Sequence, residues 1–202
     1  MLKLGELFFK LRDYTPIPFI IYMLIYGSDT MSFNTMVIGT CCIFLGELIR
    51  IFGVAYIGGV SRTRTFSTGQ KLITGGPFSH VRNPLYIGNL FLSGGLVIFA
   101  NVGLYFNLVF FAFFFIQYIP IIHWEESNLR EIFGKDFDAY TRKVSRWIPT
   151  LFSQYQDQEI IKGEYKTAIK SERSTLISAI ILYGLILWRS GWLGFWFPEL
   201  IH

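Results

Sequence analysis

Five apolar runs, at 17–27, 31–57, 85–100, 102–122 and 176–188, limit what this chain can fold into more than any other feature. An α-helix rises about 1.5 Å per residue and the hydrocarbon layer of a bilayer is about 30 Å thick, so a run near twenty residues is a spanning length. Only 16% of the residues are charged, where a soluble domain carries about a quarter. The chain therefore reads as all-α, a polytopic transmembrane bundle of about five spans in one domain over 1–202. The spans are expected at 14–28, 31–57, 84–100, 102–122 and 174–190. Lys3, Lys10 and Arg12 before a short apolar stretch imitate a secretory signal, but Tyr26-Gly27-Ser28 is a poor cleavage site, and a retained first helix is expected. Its first turn would hold Pro16 and Pro18, where a missing N–H costs least.

Charge sets the topology. Lys3, Lys10 and Arg12 precede the first span, Arg62, Arg64, Lys71 and Arg82 follow the second, and Arg130 through Arg173 supply the rest of sixteen among the 18 lysines and arginines. The short turns at 28–30 and 101–103 hold none, so both read as the tips of antiparallel hairpins. The positive-inside rule then places the N-terminus and the motif-bearing loops on the cytoplasmic side of a multi-pass protein. The net charge of +4 describes a surface facing anionic lipid, and nucleic acid is not an expected partner. Cys41 and Cys42 sit side by side in an apolar run and suit packing; no metal site is expected.

Two polar clusters interrupt this pattern. The first, within 71–88, leads into the third span and concentrates Gly75, Gly76, Pro77, His80, Arg82, Asn83, Pro84 and Tyr86. The second, within 123–150, begins at His123-Trp124-Glu125-Glu126 and continues with Leu129, Ile132, Phe133, Phe137, Tyr140 and Val144 at helical spacing, broken by Gly134. Two short amphipathic cytoplasmic helices are expected there. A polar stretch over 156–173 should run along the membrane surface to the last span, and Trp188, Trp192 and Trp196 suit an interfacial belt. Because a hairpin returns the chain to the same side, the two clusters can converge.

Gly-Pro-Phe-x-x-Val-Arg-Asn-Pro-Leu-Tyr-x-Gly followed, past a membrane hairpin, by Glu-Glu-x-x-Leu-x-x-x-Phe-Gly-x-x-Phe-x-x-Tyr-x-x-x-Val-x-Arg-x-x-Pro resembles the isoprenylcysteine carboxyl methyltransferase and phospholipid methyltransferase families. The likeness covers roughly 71–150. Where those families commonly read Arg-His-Pro, this chain has Asn83 in the histidine position. The resemblance implies an S-adenosylmethionine site, with S-adenosylhomocysteine as product, closed by the loop, the paired glutamates and the adjoining span ends.

A pocket for such a ligand needs acceptors for an ammonium and ribose hydroxyls and a cation for a carboxylate. Glu125 or Glu126 can supply the first and Arg82 or His80 the second, by charge-assisted bonds. Gly75 and Gly76 permit close backbone approach, Pro77, Asn83 and Pro84 shape the entry, and Tyr86 can stack or hydrogen-bond. Glu125, Glu126 and Arg82 are the catalytic candidates. Methyl transfer asks the protein chiefly to align donor and acceptor.

Glu47 and Arg50, at i and i+3, share a helix face, and Glu47 lies about 15 Å deep in the layer. Charges at such depth are costly and face the bundle interior or a cavity, which makes the pair a candidate for an acceptor headgroup or for a structural brace. The acceptor is expected to be a membrane lipid or a lipidated small molecule, either a carboxylate or an amine. Two rival readings fit the same layout: a nicotinamide-dependent membrane reductase of the steroid-reductase type, and a non-enzymatic lipid-binding or transport protein.

Overall fold

The computed structural model describes residues 2–27, 32–57, 72–153, 155 and 163–191. Over these the chain is helical, without strands: α1 (Leu2–Leu11), α2 (Ile17–Tyr26), α3 (Phe33–Ile57), α4 (Pro84–Ala100), α5 (Leu104–Phe133), α6 (Lys135–Lys143) and α7 (Tyr165–Arg189), with a 3-10 turn at Gly76–Ser79. Arg62, Arg64, Lys71, Trp192, Trp196 and the 156–162 part of the expected surface linker lie outside the described residues.

α3 and α5 are long and apolar enough to cross a membrane, while α2 and α4 are apolar but shorter. Large apolar side chains point outward from α2, α3, α5 and α7, among them Ile25, Phe33, Phe44, Val109, Ile116 and Ile180. Outward apolar surface of this extent suits a lipid environment.

Three boundaries differ from the sequence reading. Residues 2–11 form a helix of their own, and α2 is only 10 residues long. The stretch expected as a short amphipathic helix at 124–133 is the continuous end of α5, and only α6 is separate. Gly134 makes the break with φ 50°, a left-handed conformation that costs glycine little. Tyr165–Arg173, expected on the membrane surface, already belongs to α7. The helix expected over 84–100 and the 101–103 turn fall where expected, with Asn101 at φ 50° and Gly103 at φ 137°.

Glycines bring α3 and α4 into contact along an antiparallel seam. A Cβ at Gly46 would stand 2.4 Å from the Leu92 nitrogen and 2.7 Å from the Gly88 oxygen, and one at Gly39 would stand 2.8 Å from the Gly95 oxygen. Small residues let backbones approach closely where lipid offers no hydrophobic drive between helices. Cys42 packs into this seam near Gly95, while Cys41 faces outward. Beside it, Phe99, Phe110, Phe114, Met23 and Ile186 join α2, α4, α5 and α7 in one apolar core.

At its 30 residues α5 measures about 45 Å, well beyond the roughly 30 Å hydrocarbon layer. Its apolar part ends at Ile122, and the polar and charged stretch from His123 to Phe133 extends beyond it. That end packs through Leu129 and Phe133 with Phe137 and Tyr140 of α6 and with Val144 just after it, and meets α1 at Gly5, whose Cβ would sit 2.6 Å from the Trp124 Cβ.

Candidate functional site

The two motif clusters meet. Backbone bonds join the 80–82 loop to the segment after α6: Arg82 donates its N–H to the Ser145 oxygen at 2.9 Å, and Thr150 donates to the His80 oxygen at 3.1 Å. The Tyr140 hydroxyl donates to the Phe78 oxygen at 2.7 Å. Pro84 then opens α4, its fixed φ suited to a first helical turn.

Behind the loop, Glu126 is buried and clamped by two arginines. Arg146 donates through Nη2 at 2.5 Å and Nε at 3.2 Å, a bidentate arrangement, and also donates from Nη1 to His123 Nε2 at 3.2 Å. Arg82 Nε lies 3.0 Å from Glu126 Oε1, but its N–H does not point along that line: the contact is an ion pair, and the buried N–H is left without an acceptor. The other arm of Arg82 is fixed by Nη1 donating to the Thr141 oxygen at 3.0 Å.

Glu125, one residue earlier, points elsewhere. It shares a hydrogen bond with the Tyr86 hydroxyl, and burial pushes its carboxyl up to about 7 against the opposing pull of that bond and of Arg12, with Glu126 adding to the rise. A carboxyl held there is divided between its acid and base forms at neutral pH.

Both groups face one cavity of about 1080 Å³. Its walls at this end are Arg82, Asn83, Tyr86, Glu125 and Glu126, with Leu72, Phe78 and Phe137 as apolar surface. From there it runs along α4 and α5 past Asn89, Tyr118, Phe110, Phe113 and Phe114, reaching Arg50 on α3 and Glu172 and Thr175 on α7. Residues Arg12 and Asp13 of the turn between α1 and α2 complete the wall.

Arg82, Asn83, Pro84, Tyr86, Glu125 and Glu126 are thus brought together as the sequence suggested. Gly75, Gly76, Pro77 and His80 stand behind the wall. His80 Nδ1 meets the Thr150 oxygen at 2.7 Å, and Gly76, at φ 56°, leaves room for the Tyr56 ring. Arg50 lies on the cavity wall but does not pair with Glu47. Its Nε and Nη2 donate to Glu172 at 3.0 and 2.5 Å, and Nη1 donates to Asn89. Glu47 is buried away from that wall, both oxygens without a hydrogen-bond partner. Arg146, Asn89, Glu172 and Arg12 were not singled out beforehand. The signal for Arg146 was present in Val-x-Arg-x-x-Pro, and Glu172, four residues from the start of an apolar run, had the position of a helix-end charge.

The family profile described as phospholipid methyltransferase matches residues 34–136, which include α3, α4, α5 and the loop before α4. Two curated relatives, both described as "Probable protein-S-isoprenylcysteine O-methyltransferase", come from Oryza sativa subsp. indica and Oryza sativa subsp. japonica. Each is 33% identical over 119 residues, which is 55% of this chain and 60% of the relative. The chain thus spans less than two thirds of the curated relatives it matches. No solved structure matches it.

Proposed function

The chain belongs to the phospholipid methyltransferase family, and from that premise we propose that it is an integral membrane methyltransferase using S-adenosylmethionine and a lipophilic acceptor. The observation that carries this reading is the cavity: it has an ionic end at Arg82, Glu125 and Tyr86, and continues without a break along aromatic walls between apolar helices. Ligand sites of drug size occupy roughly 300–1,000 Å³, so about 1080 Å³ accommodates a nucleoside cofactor together with a headgroup.

The residues present fit that cofactor. Arg82 brings a buried N–H that lacks an acceptor, suited to a carboxylate, and Glu125 brings a carboxylate for an ammonium or ribose hydroxyls. Leu72, Phe78 and Phe137 offer apolar surface for a planar base. When bound, S-adenosylmethionine supplies a methyl group activated by its sulfonium. Arg82, Glu125 and Tyr86 then orient and exclude water, and Glu126 acts through the arginines it holds. A carboxylate acceptor needs no base. An ammonium must lose a proton first, and Glu125 on the cavity wall serves as its base only where the cofactor leaves that carboxylate free. The excess of basic residues flanking the spans supports a cytoplasmic cofactor side and a multi-pass arrangement.

The test is calorimetric binding of S-adenosylhomocysteine and of a nicotinamide dinucleotide to the purified protein, followed by radiolabelled methyl transfer to a native lipid extract. Binding of the first and label in organic-soluble product are expected. Nicotinamide binding, binding of neither compound, or label confined to water-soluble product would each overturn the reading.

A further inference from the structure

The cavity wall includes one cation from outside the stretch that matches the family. Arg12 opens the turn that leaves α1, and three contacts hold that turn in place. The Thr15 hydroxyl and the buried Gln117 amide exchange hydrogen bonds of 3.0 and 2.7 Å, fixing the turn to the apolar part of α5. Phe9 packs on Trp124 with ring centroids 4.9 Å apart, and the Arg12 guanidinium lies over the Phe9 ring at 4.0 Å. Gly5 lets α1 approach so closely that a Cβ would stand 2.2 Å from the Pro120 oxygen.

The three arginines on this wall are compensated unequally. Arg82 sits 3.0 Å from Glu126, and Arg50 sits 2.5 Å from Glu172. The ion pair of Arg12 is with its neighbour Asp13, at 3.7 Å, with both side chains partly in solvent, and it acts on Glu125 across the cavity through its charge and not through a direct bond. A guanidinium stacked on an aromatic ring keeps its N–H edge available for a planar or tetrahedral oxyanion. Its place also matters. Gln117 lies two turns back from Glu125 along α5, about 12 Å toward the apolar side, and Phe19 beside the same turn packs on Phe113 with centroids 5.2 Å apart. Arg12 therefore stands between the aromatic length of the cavity and the Glu125 end.

We infer that Arg12 forms an anion subsite that receives the phosphate or carboxylate oxygens of the acceptor headgroup, with the tail against Phe19 and Phe113. This deepens the methyltransferase reading and rests on it for the word acceptor; the binding itself does not. The first helix then acts as a strap that delivers a specificity-determining residue to the site.

The full chain in detergent micelles is titrated with three dibrominated eighteen-carbon amphiphiles, a phosphate monoester, a carboxylate and an alcohol, while tryptophan fluorescence is read. Trp124 is on the cavity wall, and Trp124→Phe assigns the signal. One or both anions should quench at about tenfold lower concentration than the alcohol, the worth of a charge-assisted bond. Which of them leads identifies the source of the oxyanion. Arg12→Gln should erase the margin, Arg12→Lys should keep part of it, and Gly5→Leu, which lifts α1 off α5, should reproduce Arg12→Gln. At pH 8 or above, where Glu125 is ionised largely whether or not Arg12 is present, S-adenosylhomocysteine affinity should stay within about twofold in the Arg12 and Gly5 variants, since Arg82 and Glu125 are themselves unaltered. Equal quenching by all three amphiphiles, or a margin that survives Arg12→Gln, overturns the subsite. Loss of S-adenosylhomocysteine binding in the unaltered protein overturns the methyltransferase reading instead.

Discussion

Arg50 on α3 and Glu172 on α7 approach to 2.5 Å inside the helical body, joining elements 122 residues apart, and Glu172 is fully buried. Thr175 and Asn89 accept the remaining Arg50 bonds, so the charge is satisfied as well as neutralised. Such a pair roughly breaks even against well-packed apolar residues, but removing one member strands the other. Glu172→Ala should therefore lower stability by about 3–5 kcal/mol, while Arg50→Met with Glu172→Leu should recover most of the loss. Unfolding by dodecyl sulfate in mixed micelles measures both. A single variant as stable as the parent would remove the pair from the forces that dock α7.

Two glycines give a contrast within one fold. A Cβ at Gly46 would press on the Leu92 and Gly88 backbones, whereas nothing stands within 4 Å of a Cβ at Gly184. Gly46→Val should force α3 and α4 apart at a cost of about 1–3 kcal/mol. Gly184→Ala should be neutral or stabilising by up to about 1 kcal/mol through helix propensity. The same micelle unfolding experiment compares them, and equal effects would contradict the glycine seam.

The helical class, the span at α3, the 101–103 turn and the break at Gly134 were legible because each rests on local chemistry: apolar length, turn residues and a conformation that suits glycine. The meeting of Arg82, Tyr86 and Glu125 was legible because a hairpin fixes which ends of adjacent spans coincide. Arg50 shows where local reasoning stops. Its i, i+3 spacing to Glu47 is correct, yet Asn89 and Glu172, from helices distant in sequence, hold the guanidinium. Helix α1 went unread because its ten residues are too few for a span and its packing depends on one absent side chain at Gly5.

Glu126 is expected to brace the loop as well as the site. Its carboxylate holds Arg146 at 2.5 Å and Arg82 at 3.0 Å, and Arg82 in turn carries the backbone bond to Ser145. Glu126→Gln leaves two guanidiniums facing a neutral amide. Amide hydrogens over 144–150 should then exchange about tenfold faster or more, the equivalent of one lost charged hydrogen bond. The core of α4 should exchange as before. Unchanged protection over 144–150 in Glu126→Gln would mean that the backbone bonds alone hold this segment.

Glu125 should make ligand binding depend on pH. Burial lifts its carboxyl to about 7, chiefly by penalising the charged form. A ligand ammonium or ribose hydroxyl prefers the carboxylate, so the ligand binds the deprotonated protein and, below pH 7, must displace a proton first. The sign follows: affinity rises with pH through 7 and levels off above it. A group titrating at 7 is about one-tenth ionised at pH 6 and about nine-tenths ionised at pH 8, so the affinity for S-adenosylhomocysteine should rise about tenfold between them. Glu125→Gln should be weaker at pH 8 and should lose this rise, while Tyr86→Phe, which removes the hydroxyl that favours the ionised form, should move the midpoint upward. Calorimetry at pH 6, 7 and 8 in buffers of differing ionisation enthalpy reads both the affinity and the proton released. A rise that persists undiminished in Glu125→Gln assigns it to another group and detaches this carboxyl from the ligand.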